Sequence, residues 1–98
     1  MFEVFGFYKF IKINTLKKNK DILQKLLIQN NLRGSIIIAK EGLNGTISGK
    51  SKNILILINK LQSLFSFKKF DSHNKSKSSF QPFHKPKVKM KKIMTNLQ

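Results

Sequence analysis

Residues 34–49 read GSIIIAKEGLNGTISG, and the way this stretch turns back on itself sets the architecture of the rest. Ser35 to Ala39 is a short apolar run rich in β-branched residues, so it reads as a buried strand opened by Gly34. Asn44-Gly45 is a strong turn signal, because both residue types accept positive φ. Thr46 to Gly49 continues as a second short strand, so the stretch is expected to form an antiparallel hairpin with residues 41–46 as its loop.

Upstream, residues 4–13 (VFGFYKFIKI) combine aromatic and β-branched side chains and read as a strand apolar on both faces, as near the middle of a sheet. From Leu16 to Asn31 the period lengthens: Ile22, Leu23, Leu26 and Leu27 recur at helical spacing, with Lys17, Lys18, Lys25 and Gln29 elsewhere on the cylinder. Downstream, Ser51 is placed to cap a second helix that runs to about Phe65 on Ile54, Ile58, Leu61 and Phe65. Residues 67–71 (FKKFD) read as a further strand, and residues 72–84, dominated by Ser, Asn and Lys, as a mobile loop. The last element, Lys85 to Met94, alternates. Val88 and Met90 point one way and Lys87, Lys89 and Lys91 the other, while Pro86 suits a strand start or a sheet edge. Strand-helix-strand-strand-helix-strand is the split βαβ, ferredoxin-like order. The expected fold is thus α+β: an antiparallel sheet with two helices on one face, the other face open, and an added C-terminal strand.

The chain has 98 residues, enough for a single domain over 1–98. Its 20 Lys+Arg against 4 Asp+Glu give a formal charge of +16, which suits nucleic acid or another polyanion. Yet Lys, Ile, Asn and Phe make up half the chain, all encoded by A/T-rich codons, and arginine occurs once, at Arg33. Genome composition alone can generate such a charge, so the placement of the lysines carries more weight than their number. The absence of Cys excludes disulfides, thiolate metal sites and a cysteine nucleophile within the chain. Apolar runs of about five residues are too short to cross a bilayer, and Glu3 stands where a secretory signal would be basic. The expectation is a soluble, cytoplasmic domain with no membrane partner.

Lys85, Lys87, Lys89, Lys91 and Lys92 form the most informative basic cluster. Alternate side chains on a strand stand about 6.7 Å apart on one face, so these ammonium groups form a row able to follow a phosphate backbone. They would position a nucleic acid rather than read its bases. The same row on a sheet edge also deters aggregation, and both readings stay open. Phe80 and Phe83 could offer stacking surfaces for bases, although a Phe beside Pro82 is more simply expected as a packing anchor. The loop residues Glu41, Gly42, Asn44, Gly45 and Thr46 could present amides to an anion, or serve only as a turn. His73 and His84 have no carboxylate or Cys grouped with them, and Glu3, Asp21, Glu41 and Asp71 are scattered. No metal site and no acid–base pair is expected.

Phe7 to Phe10, the block AKEGLNGTISG within residues 34–49, Gln81-Pro82-Phe83 and Val88 to Lys92 stand in an order that resembles the N-terminal domain of the rhodanese-related tRNA uridine-34 hydroxylases. The resemblance spans about residues 4–95. It implies an acylphosphatase-like, ferredoxin-type fold and a cytoplasmic role in oxygen-dependent formation of 5-hydroxyuridine at the tRNA wobble position. In that family the domain precedes a rhodanese domain carrying the active-site cysteine. This sequence stops at Gln98, has no Cys, and runs from Lys91-Lys92 into Ile93-Met94-Thr95 where the family usually shows Glu. The expectation is therefore a truncated N-terminal piece lacking the rhodanese domain, not catalytic by itself and without a cofactor. Its expected partners are tRNA and a separately encoded rhodanese-domain chain; a non-functional remnant is the alternative. Acylphosphatases, the other relatives of such a fold, need an Arg in the loop after the first strand and an Asn to orient water. Asn44 could invite that hydrolase reading, but Arg33 precedes the second strand and residues 14–19 hold no glycine.

Overall fold

A computed structural model describes residues 1–92. Along the chain run β1 (Phe2–Phe10), α1 (Leu16–Gln29), β2 (Arg33–Ala39), β3 (Gly42–Gly49), α2 (Ser51–Phe65), β4 (Ser72–Ser78) and β5 (Pro86–Met90). They form one five-stranded sheet in the order β4-β1-β3-β2-β5, antiparallel except where β5 runs parallel to β2. The ferredoxin-type α+β arrangement expected from the element order is the one observed.

One sheet face is apolar and carries both helices. Phe5 and Phe7 of β1, Ile36 and Ile38 of β2, Leu43 and Ile47 of β3 and Val88 of β5 meet Leu23 and Leu27 of α1 and Ile54, Leu57 and Leu61 of α2 in a single core. Residues directly opposite on neighbouring strands share a face, so the register assigns the rest. The helix-free face carries Val4, Gly6 and Tyr8 of β1, Asn44, Thr46 and Ser48 of β3, Arg33, Ser35 and Ile37 of β2, Asn74 and Ser76 of β4, and Lys87 and Lys89 of β5.

Four local expectations are corrected. The hairpin does not turn at Asn44-Gly45. It turns at Lys40-Glu41, with Ala39 opposite Gly42, and Asn44 and Gly45 lie inside β3. Packing decides this. The carbonyls of Lys40 and Glu41 accept hydrogen bonds from the Ile13 and Ile11 amides, at 2.9 and 3.0 Å. Gly42 follows at φ 152°, where a Cβ would collide with the Lys9 carbonyl oxygen. Gly45 is required for space, since its Cβ would lie 2.6 Å from the Ser35 carbonyl oxygen and 3.0 Å from Cζ of Phe7.

Ser51 is the first residue of α2 rather than its cap; Lys50 holds the N-cap position and no side chain caps the helix there. Residues 67–71 are not a strand. α2 stops at Ser66, left-handed at φ 56°, and the chain is held by the Phe67 amide on the Gln62 carbonyl and by Gln62 Nε2 donating to the Lys68 carbonyl. The Phe67 and Phe70 rings then pack edge to face with centroids 5.0 Å apart against the core. The fourth strand falls instead on Ser72–Ser78, within the segment expected to be a loop. Its Asp71 entrance is pinned to β1 by two hydrogen bonds: the Asp71 amide to the Tyr8 carbonyl, and the Phe10 amide to Asp71 Oδ2.

β5 begins at Pro86 on the sheet edge, as expected. Gly34 donates to the Lys85 carbonyl and Lys91 to the Ile38 carbonyl, so the odd-numbered backbone groups face β2. The even-numbered ones face outward, where Gln24 of α1 takes them: Nε2 donates to the Pro86 carbonyl at 3.0 Å and Oε1 accepts from the Val88 amide at 2.9 Å. The stretch after Lys92 that was included in the expected last element lies outside the described residues.

Candidate nucleic-acid interface

The alternation read from the sequence places Lys87 and Lys89 on the helix-free face, opposite Ser35 and Ile37, while Val88 turns into the core. Both ammonium-bearing side chains are exposed. Lys91 continues the row one residue past the strand, tied through its amide to Ile38. Lys85 precedes it at the Arg33 end of the sheet, its carbonyl bound to Gly34. Lys92 is separate: it shares a shallow concave patch with Ile11, Lys12, Lys40 and Glu41, beside the hairpin turn. The row is thus three lysines on one line, with Lys85 and Lys92 at opposite ends of it.

No carboxylate stands among the strand residues of this face. Glu3 pairs with Gly49 and Lys77 and shares the parity of Phe5 and Phe7, Glu41 is in the turn, and Asp21 lies on α1. Asp21 is held below its ordinary value of 3.8 chiefly by the hydrogen bond from Lys17, whose Nζ is 2.8 Å from Oδ1. That pair is exposed at both ends.

The loop expected to cradle an anion is not a loop. Gly42, Asn44, Gly45 and Thr46 belong to β3, whose backbone is laddered to β1 on one side and β2 on the other. Its amides are committed to the sheet. Asn44 and Thr46 present side chains on the helix-free face, and Gly45 faces the helices.

Gln81-Pro82-Phe83 proves to be a strap. Gln81 Nε2 donates to the carbonyls of Asn31 and Ser48 at 2.9 and 3.0 Å, and the buried Ser48 hydroxyl donates to the Pro82 carbonyl at 2.6 Å. Arg33 reaches the carbonyls of Gln81 and Phe83 at 3.4 Å. These contacts fasten the β4–β5 connection across the end of the sheet. The Phe80 and Phe83 rings are 67% and 43% exposed and stay out of the core, contrary to the packing role expected of them. The sequence reading missed the part played by Arg33 and Gln81, which only the fold brings together.

Arg33 pairs with Ser48, four residues along β3 from Asn44, a separation of about 13 Å. The loop after β1 lies at the other end of the sheet, by Gly42. An Arg–Asn phosphate site of the hydrolase type is therefore not assembled from these two residues. Among the described residues there is no group of three or more His, Asp, Glu or Cys able to hold a metal. Among the described residues no helix is long and apolar enough to cross a membrane.

The family model for the UPF0176 acylphosphatase-like domain matches residues 2–94. The chain belongs to that family. Within it, a tRNA uridine(34) hydroxylase from Pelagibacter ubique (strain HTCC1062) is 63% identical over 92 residues, covering 94% of this chain and 31% of that protein. A second, from Ehrlichia ruminantium (strain Welgevonden), is 35% identical over 97 residues, covering 93% of this chain and 33% of that protein. The chain thus spans about a third of the length of the curated relatives it matches. Among solved structures, the acylphosphatase from Bacillus subtilis superposes with a TM-score of 0.62 at 10% identity, over 90% of this chain and 98% of that one. That likeness establishes the acylphosphatase-like fold and nothing about chemistry.

Proposed function

We propose that this UPF0176 domain is the tRNA-contacting part of a tRNA uridine(34) hydroxylase system in the cytoplasm and carries no chemistry of its own. The observation that carries the reading is the line of Lys87, Lys89 and Lys91 beside a sheet face whose strands bear no carboxylate, in a chain 63% identical to a tRNA uridine(34) hydroxylase. Three ammonium groups at strand spacing attract a phosphate backbone without reading its sequence, while the chemistry of the substrate base is left to another domain. Lys85 and Lys92 would extend the footprint at either end of the row. An amide-shift titration of the chain with bulk tRNA tests this. The reading expects the largest shifts in β2 and β5, and shifts confined to the helix side would reject it.

A second reading concerns the hairpin end of the same face. Tyr8 and Phe10 pack edge to face at 5.4 Å, opposite Asn44 and Gly42 of β3, and Phe10 is 54% exposed. This exposed aromatic pair suits a docked protein surface, and a separately encoded rhodanese-domain chain is the partner we infer for it. Co-purification with that chain, lost on Phe10→Lys, is the outcome expected.

A further inference from the structure

β4 departs furthest from the apolar pattern of the helix-side face, with no apolar residue on that side. Its helix-side positions are His73, Lys75 and Lys77, opposite Phe7, Phe5 and Glu3, where the sheet's pattern calls for apolar residues. Such local departures from patterning are where function concentrates. Here they open a groove between α2 and β4, lined by Ile58, Gln62, Lys68, Lys69, Phe70, His73 and Lys75, with the buried Phe5 beneath. Its volume of about 340 Å³ falls within the range of roughly 300–1,000 Å³ typical of small-ligand sites.

We propose that this groove binds a nucleotide of single-stranded RNA, its base stacked on His73 and Phe70 and its phosphates met by Lys68, Lys69 and Lys75. The His73 ring lies 6.1 Å from Phe70 and 6.2 Å from Phe5, so the exposed imidazole is propped against an aromatic wall. Phe70 is itself fixed by Phe5, Phe7 and Phe67 at 5.0–5.5 Å. Lys75 Nζ sits 5.9 Å over the Phe5 ring, which draws that exposed charge toward the groove. Among the described residues no carboxylate lines the groove, and neighbouring Asp71 is engaged by the Phe10 amide. An anion with a flat apolar face is what this lining complements. Lysines alone would suffice to protect a sheet edge; an aromatic wall is not needed for that. The groove's preference for an aromatic anion stands on its own geometry. That the anion is RNA rests on the tRNA reading above.

The test is a titration of the isotopically labelled full chain with a short oligouridine, with UMP and with inorganic phosphate at low salt. Oligouridine should shift the amides of Gln62 and residues 68–75 and bind roughly tenfold or more tighter than UMP, through its additional phosphates. His73→Ala, at an exposed position, should weaken oligouridine by about 5- to 100-fold while His73→Tyr retains binding, as expected of stacking. Replacing the exposed Lys68, Lys69 and Lys75 by Gln should reduce the log–log salt slope by about 2. The shifts should persist in the Lys87/Lys89/Lys91→Gln chain, which separates this groove from the β5 surface. Wild-type affinity and slope in the groove variants would overturn the proposal, as would shifts that vanish with the β5 lysines. Equal affinity for UMP and oligouridine would overturn the assignment to an RNA strand.

Discussion

Gln24→Met is the substitution that probes how the lysine-bearing strand is held. Met keeps the length and volume of the side chain but removes both hydrogen bonds to the outer edge of β5. The Val88 amide would then sit unpaired in a residue that is only 2% exposed. Leaving a buried donor unsatisfied costs about 1–3 kcal/mol, and the Pro86 carbonyl, nearer the surface, can turn to water at little further cost. For 98 residues the unfolding entropy near the midpoint is about 0.2 kcal/mol/K, so the melting temperature should fall by about 5–15 °C. Amide exchange distinguishes this from generic destabilisation. Val88 should lose protection beyond the global change, while Ile47 in central β3 should track global stability alone. An unchanged melting temperature with normal Val88 protection would refute the reasoning. It would mean that β2 pairing alone secures β5.

Other perturbations follow from the same structure. Gly45→Ala should lower stability by about 1–3 kcal/mol in urea denaturation, because its Cβ meets the Ser35 carbonyl, which is backbone and cannot swing away. Leu57→Ala, at a fully buried site of α2, should cost about 2–5 kcal/mol by the same measurement. The depressed pKa of Asp21 means that its pairing with Lys17 contributes above the ordinary carboxylate value and is lost as pH falls through the lower folded value. The difference in melting temperature between wild type and Asp21→Asn should therefore be small at neutral pH, since both partners are exposed, and should vanish in strong acid. Asn44→Ala should leave an acyl phosphate assay unchanged from background, given the distance that separates Asn44 from Arg33.

Much of this was legible in the residues. Leu23 and Leu27 announce the buried side of α1, the Ile36–Ile38 run announces β2, and the Lys-Val-Lys alternation after Pro86 gives β5 its edge position and the facing of its lysines. The errors share a physical cause, which is tertiary context outweighing local preference. Asn44-Gly45 is a turn signal in isolation, but in the centre of the sheet Gly45 answers to the close approach of Ser35 and Phe7. Ser72–Ser78 has no apolar alternation to reveal it, because both of its faces are exposed and its strand character comes from pairing with β1. Misplacing that strand at residues 67–71 hid the groove as well, since His73 and Lys75 acquire a common direction only once β4 exists. Arg33 and Gln81 were invisible for a related reason: nearly fifty residues of chain separate them, and the β4–β5 connection brings them together.

The central claim is that the helix-free face engages tRNA through the lysines of β5. The most direct measurement is the affinity for bulk tRNA across a salt series, for the wild-type chain and for Lys87/Lys89/Lys91→Gln. The account predicts a log–log slope shallower by about 2–3 in the variant, at 0.7–0.9 for each of three lost phosphate contacts, with the melting temperature preserved. Identical slopes and affinities in the two proteins would contradict it.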